Sequence, residues 1–321
     1  MSDLPLHVVL GAGQIGSLVA RLLVGRGVRV RLVRRGAFDS AIPGVDPVSA
    51  DVGDPAAAIA AIAGAAVVYN CVNPPYWQWA TEMPRLTTGI LAGVARAGAR
   101  LMVLDNLYMY GETARMTETT PIAPVSRKGR YRAAAAAQLL DAHRRGEARV
   151  AIGRASDFFG PGVVSAHFGD RFYRRIFANK PGECIGDPDQ RHTYSFAPDV
   201  AAGLVALGLD PRGDGQAWML PALPAESTRA VVARMGGVLG RTVEVSAIPG
   251  FAMRLMGLFS RPMRELAEMR YQWQQPFVVD DARFRETFGV SATPWDRAIS
   301  ETMAWAGARY AADDTVAQLA S

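Results

Sequence analysis

The sequence predicts an α/β fold: a doubly wound parallel sheet followed by a smaller, mostly helical C-terminal region. Two observations carry that prediction. Near the start, the apolar run Leu6–Leu10 meets Gly11-Ala12-Gly13-Gln14-Ile15-Gly16, and a stretch with Leu18, Val19, Leu22 and Leu23 on one face follows. Beyond it, strand-like and helix-like stretches alternate through the first half of the chain. Strands alternating with helices pair in parallel through crossover connections.

The glycine-rich junction reads as strand, tight turn, helix. Gly11 lets the chain turn sharply, and Gly13 has no Cβ to keep a pyrophosphate from the backbone. Gly16 lets the helix pack close to the strand, and the amides at Gln14 and Ile15 lead into its positive end. A lone G-x-G-x-x-G arises by chance in a chain this rich in Ala and Gly. A strand before it and a helix after it are the context that gives it meaning. The reading is a Rossmann-type dinucleotide site.

The remaining elements follow in order. Gln14–Val24 is the first helix, ended by Gly25 and Gly27, and Val28–Val33 is the second strand. The residues after that strand set cofactor choice. An acid there binds the ribose 2′-hydroxyl of NAD, whereas arginine suits a 2′-phosphate. Arg34-Arg35-Gly36 stands at this place, so NADP is expected over NAD. Ala50-Asp51-Val52 closes a short third strand, with Asp51 toward the adenine. Pro55–Ile62 is a helix and Ala66–Cys71 the fourth strand. Asn73 follows at the nicotinamide-side ribose, and prolines then stop the strand. Tyr76, Trp77 and Trp79 lie beyond, at the carboxyl edge where such sheets bind ligands. Thr81–Ala97 is helical, and Leu101–Leu104 is the fifth strand, leading to Asn106, Tyr108 and Tyr110-Gly111. Ser126 caps a long helix through Ala133–Ala137. Its run of five alanines permits close backbone approach, to the sheet on one side and to a partner subunit on the other. Arg149–Gly153 is the sixth strand.

Later, His192–Ala197 and Gln216–Leu220 read as strands with a helix, Pro198–Leu209, between them. The tail reads as short helices. The expected organisation is therefore a nucleotide-binding domain over 1–165, with 191–220 returning to the sheet. A smaller substrate or lid region takes 166–190 and 221–321. There, Met253, Met256, Met263 and Met269 with Phe251, Phe259 and Trp273 line an apolar cavity or pack a satellite core.

Bulk properties narrow the partners. The formal charge of +5 is spread among interspersed acids and bases. No long basic block marks a nucleic-acid or membrane partner, so a small-molecule substrate is expected. Cys71 and Cys184 lack CxxC spacing, and the four histidines have no metal-ligand spacing, so no metal is expected. No signal peptide or membrane-spanning run is seen, which gives a cytoplasmic expectation.

The chain resembles the extended short-chain dehydrogenase/reductase superfamily of NAD(P)-dependent epimerases, dehydratases and reductases. The resemblance rests on Gly11 to Gly16, Tyr110-Gly111, Arg154-Ala155-Ser156-Asp157-Phe158-Phe159-Gly160-Pro161-Gly162, and His192-Thr193-Tyr194-Ser195-Phe196-Ala197-Pro198-Asp199-Val200-Ala201. It implies that the nicotinamide lies near Arg154–Phe159, which brings Ser156 among the cofactor contacts. It also implies that the substrate lies under the C-terminal part, and that two copies pair through the alanine-rich helix and its neighbour as a homodimer.

The reaction centre departs from that pattern. The superfamily uses a Ser or Thr after the fifth strand and a Tyr-x-x-x-Lys on the next helix. Here the first position reads Asn106, and the second reads Lys128-Gly129-Arg130-Tyr131-Arg132. Three readings stay open. In one, Lys128 is the acid/base, Arg132 one turn away depresses its pKa and holds the ribose, and Asn106 orients the substrate oxygen. Lys-x-x-x-Arg is similar to the isoflavone-reductase-like branch. In the second, Tyr108 serves, with Tyr131 a poorer candidate. In the third, the chain resembles the NmrA-like sensors, which bind the nucleotide without turnover. The expected function is an NADP-dependent reductase of a small, fairly apolar carbonyl, enone or imine. A nucleotide sensor and a sugar-nucleotide epimerase or dehydratase are the alternatives.

Overall fold

The computed structural model describes residues 4–318. Its centre is a seven-stranded sheet. The strands are β1 (Leu6–Leu10), β2 (Arg29–Arg34), β3 (Val45–Ser49), β4 (Ala65–Asn70), β5 (Arg100–Asp105), β6 (Arg149–Arg154) and, past a small pair made of β7 (Asp157–Phe159) and β8 (Tyr194–Phe196), β9 (Ala217–Met219). The spatial order is β9-β6-β5-β4-β1-β2-β3, and every neighbouring pair is parallel. Helices α1 (Gly16–Gly25), α2 (Pro55–Ile62), α3 (Trp79–Ala97), α4 (Arg127–Arg144) and α6 (Ala197–Leu209) cover the two faces, while α5 (Asp170–Phe177) packs into the C-terminal region.

Strand alternation explains the two cores. Successive side chains of a strand point to opposite faces. Val9 packs with α1 and α6 through Val19, Leu23 and Leu204. Val8 and Leu10 pack with α2 and α3 through Ile62, Leu86 and Ile90. Each such aliphatic side chain contributes about 1.5–3 kcal/mol by leaving water. Asp54 caps α2 by accepting from the Ala57 amide, and Ser126 caps α4 by accepting from Gly129.

The C-terminal region holds α7 (Thr228–Val238), α8 (Gly250–Phe259), α9 (Arg261–Ala267), α10 (Ala282–Phe288) and α11 (Trp295–Gln318). Phe168, Phe172, Tyr194, Trp295 and Met303 form its core. Three expectations need correction. The third strand ends at Ser49, so Asp51 lies in a turn rather than on the strand. The tail ends in a 24-residue helix, because Trp295, Ile299, Met303 and Tyr310 recur on one side and are buried there. Met253, Met269 and Trp273 are buried, but Phe251 and Phe259 face solvent. Among the described residues, no helix is long and apolar enough to cross a membrane.

Candidate dinucleotide cleft and reaction centre

From β1 the chain builds outward to β3, then returns to β4 on the other side of β1. The carboxyl ends of β1 and β4 thus flank the crevice where the strand order reverses, the usual ligand position in such sheets. Gly11 leaves β1 at φ +96, and a Cβ there would sit 3.0 Å from the Cys71 carbonyl oxygen. A Cβ on Gly16 would overlap the Gly11 carbonyl. A Cβ on Gly13 would meet nothing within 4 Å. Two glycines therefore close the turn, and the third leaves an open backbone face. Helix α1 begins there with no side-chain cap, so its first amides remain available to an anion. The residues fit a dinucleotide pyrophosphate. Ile15 is buried beneath the turn, and Gln14 acts as a brace. Its Oε1 accepts from the amides of Val164 and Ser165 at 2.8 and 2.7 Å, tying the loop after β7 across the glycine turn.

At the end of β2, Arg34 and Arg35 are exposed. The Arg34 guanidinium lies 5.2 Å from the Phe38 ring centre, and Arg35 lies 3.6 Å from Glu82. Asp51 accepts from the Gly53 amide and pairs with Arg85 at 3.1 Å, so its carboxylate is already engaged.

The reaction end is built from side chains. Asp105, at the end of β5, lies between two buried arginines: Arg132 at 3.4 Å and Arg154 at 3.5 Å. Arg132 also donates to Asn73 Oδ1 at 2.7 Å and stacks 4.4 Å over Trp79. Arg154 donates to the Tyr110 hydroxyl at 2.5 Å. Lys128 is buried in the first turn of α4. Its Nζ donates to Glu268 at 2.5 Å and to Glu265, and lies 5.5 Å from the Tyr76 ring centre. The nearest charges to Lys128 are thus carboxylates from α9 and the turn after it. Arg132 points elsewhere.

The Tyr108 hydroxyl is 2.6 Å from that of Tyr76. Burial, then the neighbouring Tyr76 and Asp157, push the Tyr108 hydroxyl well above its ordinary pKa. A phenol in that state keeps its proton at neutral pH and is available as a hydrogen-bond donor. Asn106 accepts from the Tyr108 amide at 3.2 Å, which fixes the turn after β5. Tyr131 packs against the Trp79–Tyr108 cluster. Ser156 is turned into the fold, where its hydroxyl donates to the Thr193 carbonyl at 2.5 Å.

A second constellation has no local sequence signal. Asp157 on β7 bonds His192 at 2.8 Å. His192 and His167 each stack on Trp273, with centroids 5.8 and 5.3 Å apart. Both ring nitrogens of His167 are buried with no hydrogen-bond partner among the described residues. Burial holds the His167 pKa down at about 4, so it is neutral at physiological pH. Its partners come from three separate stretches of chain, and only the fold brings them together. A cavity of about 320 Å³ is lined by Glu112, Val125, Met253, Arg270, Tyr271 and Glu268, the last of which bonds Lys128.

A family model described as the NAD dependent epimerase/dehydratase family matches residues 7–218. The chain belongs to that family. Solved structures of similar fold include a UDP-glucuronic acid 4-epimerase from Bacillus cereus in complex with NAD. That structure is 14% identical, with a TM-score of 0.78 over 95% of this chain and 99% of that one. A dTDP-glucose 4,6-dehydratase from Bacillus anthracis in complex with NAD is 16% identical, with a TM-score of 0.76 over 94% and 96%. The Bordetella bronchiseptica enzyme WbmH in complex with NAD+ is 16% identical, with a TM-score of 0.71 over 96% and 100%. A comparison with curated protein sequences gives no match. The matched range includes the glycine turn, Lys128 and Arg132.

Proposed function

We propose that this family member carries out hydride transfer at a hydroxyl- or carbonyl-bearing carbon, the step with which epimerases and dehydratases both begin. The observation that carries the reading is Lys128. It is buried at the start of α4, and its partner Glu268 lines a cavity of about 320 Å³; we read Lys128 as standing in for the superfamily's proton-exchanging tyrosine. The family and the similarly folded enzymes favour a sugar nucleotide as the substrate class. Reduction of a free carbonyl, enone or imine is a second reading, favoured by the ammonium at this position.

A bound nicotinamide supplies or accepts the hydride. The chain's own residues do the rest. Gly11, Gly13 and Gly16 with the first amides of α1 hold the pyrophosphate. The Lys128 ammonium gives its proton to the substrate oxygen as a carbonyl becomes an alcohol, and regains it in the reverse direction. Glu265 and Glu268 fix the ammonium in place. Tyr108, held protonated, donates a hydrogen bond. Arg132 and Asn73 face the nicotinamide-side ribose, and Asp105 sets the guanidinium's plane.

For the cofactor, the pair at the end of β2 supports NADP. Arg34 and Arg35 are exposed there, and the nearby acids Glu82 and Asp51 are engaged by Arg85. The structural relatives solved with NAD support NAD as the second reading. One experiment separates them: calorimetric titration of wild type and Arg34→Ser/Arg35→Ser with NADPH and NADH, then a turnover screen over sugar nucleotides and simple carbonyls. The NADP reading expects about tenfold or more loss of NADPH affinity in the variant and little change for NADH. Equal affinities in wild type and variant remove it. Tight binding without turnover across the whole screen removes the enzymatic reading and leaves the sensor.

A further inference from the structure

The face of α8 turned away from the protein carries an apolar stripe. Phe251, Leu255, Leu258 and Phe259 are 75, 58, 72 and 87% exposed, whereas Met253 on the opposite side is 1% exposed. At 100° per residue the four exposed side chains fall within an arc of about 100°. Neighbouring segments add to the patch. Exposed Val125 lines the same cavity mouth as Gly250 and Met253, and exposed Trp77 sits in the turn against which α9 packs. Solvent-facing apolar groups this concentrated mark a contact surface.

The charge around the stripe identifies what it contacts. Arg261 and Arg264 on α9 are exposed, as are Arg127 and Arg130 at the start of α4. The one acid within Gly250–Ala267 is Glu265, and it turns inward to Lys128, as Glu268 does one turn later. The outer surface of the α8–α9 hairpin is therefore apolar at its centre and mainly cationic at its rim, where Arg130, Arg261 and Arg264 are exposed, Arg127 lies 3.9 Å from Glu268, and Glu112 is the exposed acid at the cavity mouth. A two-fold contact between copies that centred on the stripe would bring the arginines of one rim toward those of the other. A bilayer surface with anionic headgroups meets both features, the acyl boundary taking the stripe and the headgroups the arginines.

We propose that α8 is an interfacial helix that docks the protein on an anionic lipid surface, with the mouth of the cavity that Glu268 lines at that surface. Helix α8 has 10 residues, and it lies on a membrane rather than crossing it. The four arginines come from two distant segments and form no linear basic block, so only the fold gathers them.

The test is co-sedimentation of the full chain with phosphatidylcholine vesicles and with vesicles that also contain phosphatidylglycerol. Two variants are compared, Phe251→Ser/Leu255→Ser/Phe259→Ser and Arg261→Gln/Arg264→Gln, each checked for a wild-type melting temperature. The expected result is binding to the anionic vesicles that weakens with salt. It should fall about tenfold or more in the first variant and several-fold in the second. Wild type that stays in the supernatant with anionic vesicles at low salt overturns the proposal. Undiminished binding by both variants also overturns it. So does a wild-type dimer that the first variant dissociates without any vesicle binding, which would assign the face to a second copy of the chain.

Discussion

The two ends of the cleft are built from different materials. At the nucleotide end the surface is backbone: three glycines and the uncapped start of α1, all within six residues of sequence. At the reaction end it is side chains, and most are already paired. Lys128 is held by Glu265 and Glu268, Arg132 by Asp105 and Asn73, Tyr108 by Tyr76, and His192 by Asp157. A backbone surface fails when an atom is added, whereas a paired side-chain surface fails when a charge is taken away. The first is insensitive to pH and salt, and the second is not.

The largest effect belongs to the backbone end. Gly16→Val places a Cβ on the Gly11 carbonyl, a backbone atom that cannot move aside. Helix α1 must then shift off β1, at a cost of about 3 kcal/mol or more, and dinucleotide binding falls at least a hundredfold. Gly13→Ala is the control. Its Cβ has room, so the melting temperature stays at wild type while binding weakens, because the methyl occupies the approach to the phosphate. Thermal melting and calorimetry on the two variants check this. A wild-type melting temperature for Gly16→Val would show that the turn is not the tight element described here.

The same contrast explains what the sequence could and could not disclose. The β1–α1 turn, the Pro55–Ile62 helix and the Ser126 cap were legible because each depends on contacts a few residues apart. Asp51 reads as a cofactor acid until Arg85, 34 residues away, is found on it. Ser156 reads as a site residue until Thr193 takes its hydroxyl. Arg132, one turn from Lys128, was expected to set that amine's charge. Two carboxylates 137 and 140 residues on, from α9 and the turn after it, stand there in its place. Sequence proximity along a helix names neighbours in space, but a buried cation is governed by whatever the rest of the fold presses against it. The Asp157–His192 pair and His167 left no local trace, since no periodicity links positions so far apart.

The reaction end supplies the next prediction. Lys128→Met leaves two carboxylates facing each other without their cation. Both retain some access to water, so the loss is about 2–3 kcal/mol rather than the full cost of a sealed ion pair. Adding Glu265→Gln and Glu268→Gln should restore most of the stability while turnover stays abolished. Denaturant unfolding and a turnover assay on both variants separate the structural role of Lys128 from its chemical one. Turnover that survives in Lys128→Met with dinucleotide affinity unchanged would take Lys128 out of the chemistry. Failure of the triple variant to regain stability would mean that the carboxylates are held by something other than this lysine.

The smallest predicted effect is a pH dependence confined to the reaction end. Burial holds His167 at a pKa of about 4 in the folded chain, against 6.5 when unfolded. Between those values the unfolded state binds the extra proton, so stability is complete above pH 6.5 and is lost as pH falls toward 4. The part of His167 that is not sealed from water limits the change to about 1–3 kcal/mol. His167→Phe keeps the ring stacked on Trp273 and has nothing to protonate, so its melting temperature should fall less than wild type between pH 7 and 4.5. Gly13→Ala, altered only at the backbone end, should track wild type across the same range. Parallel curves for His167→Phe and wild type would mean that acid acts elsewhere in the fold, and the contrast in pH response drawn between the two ends would fail with it.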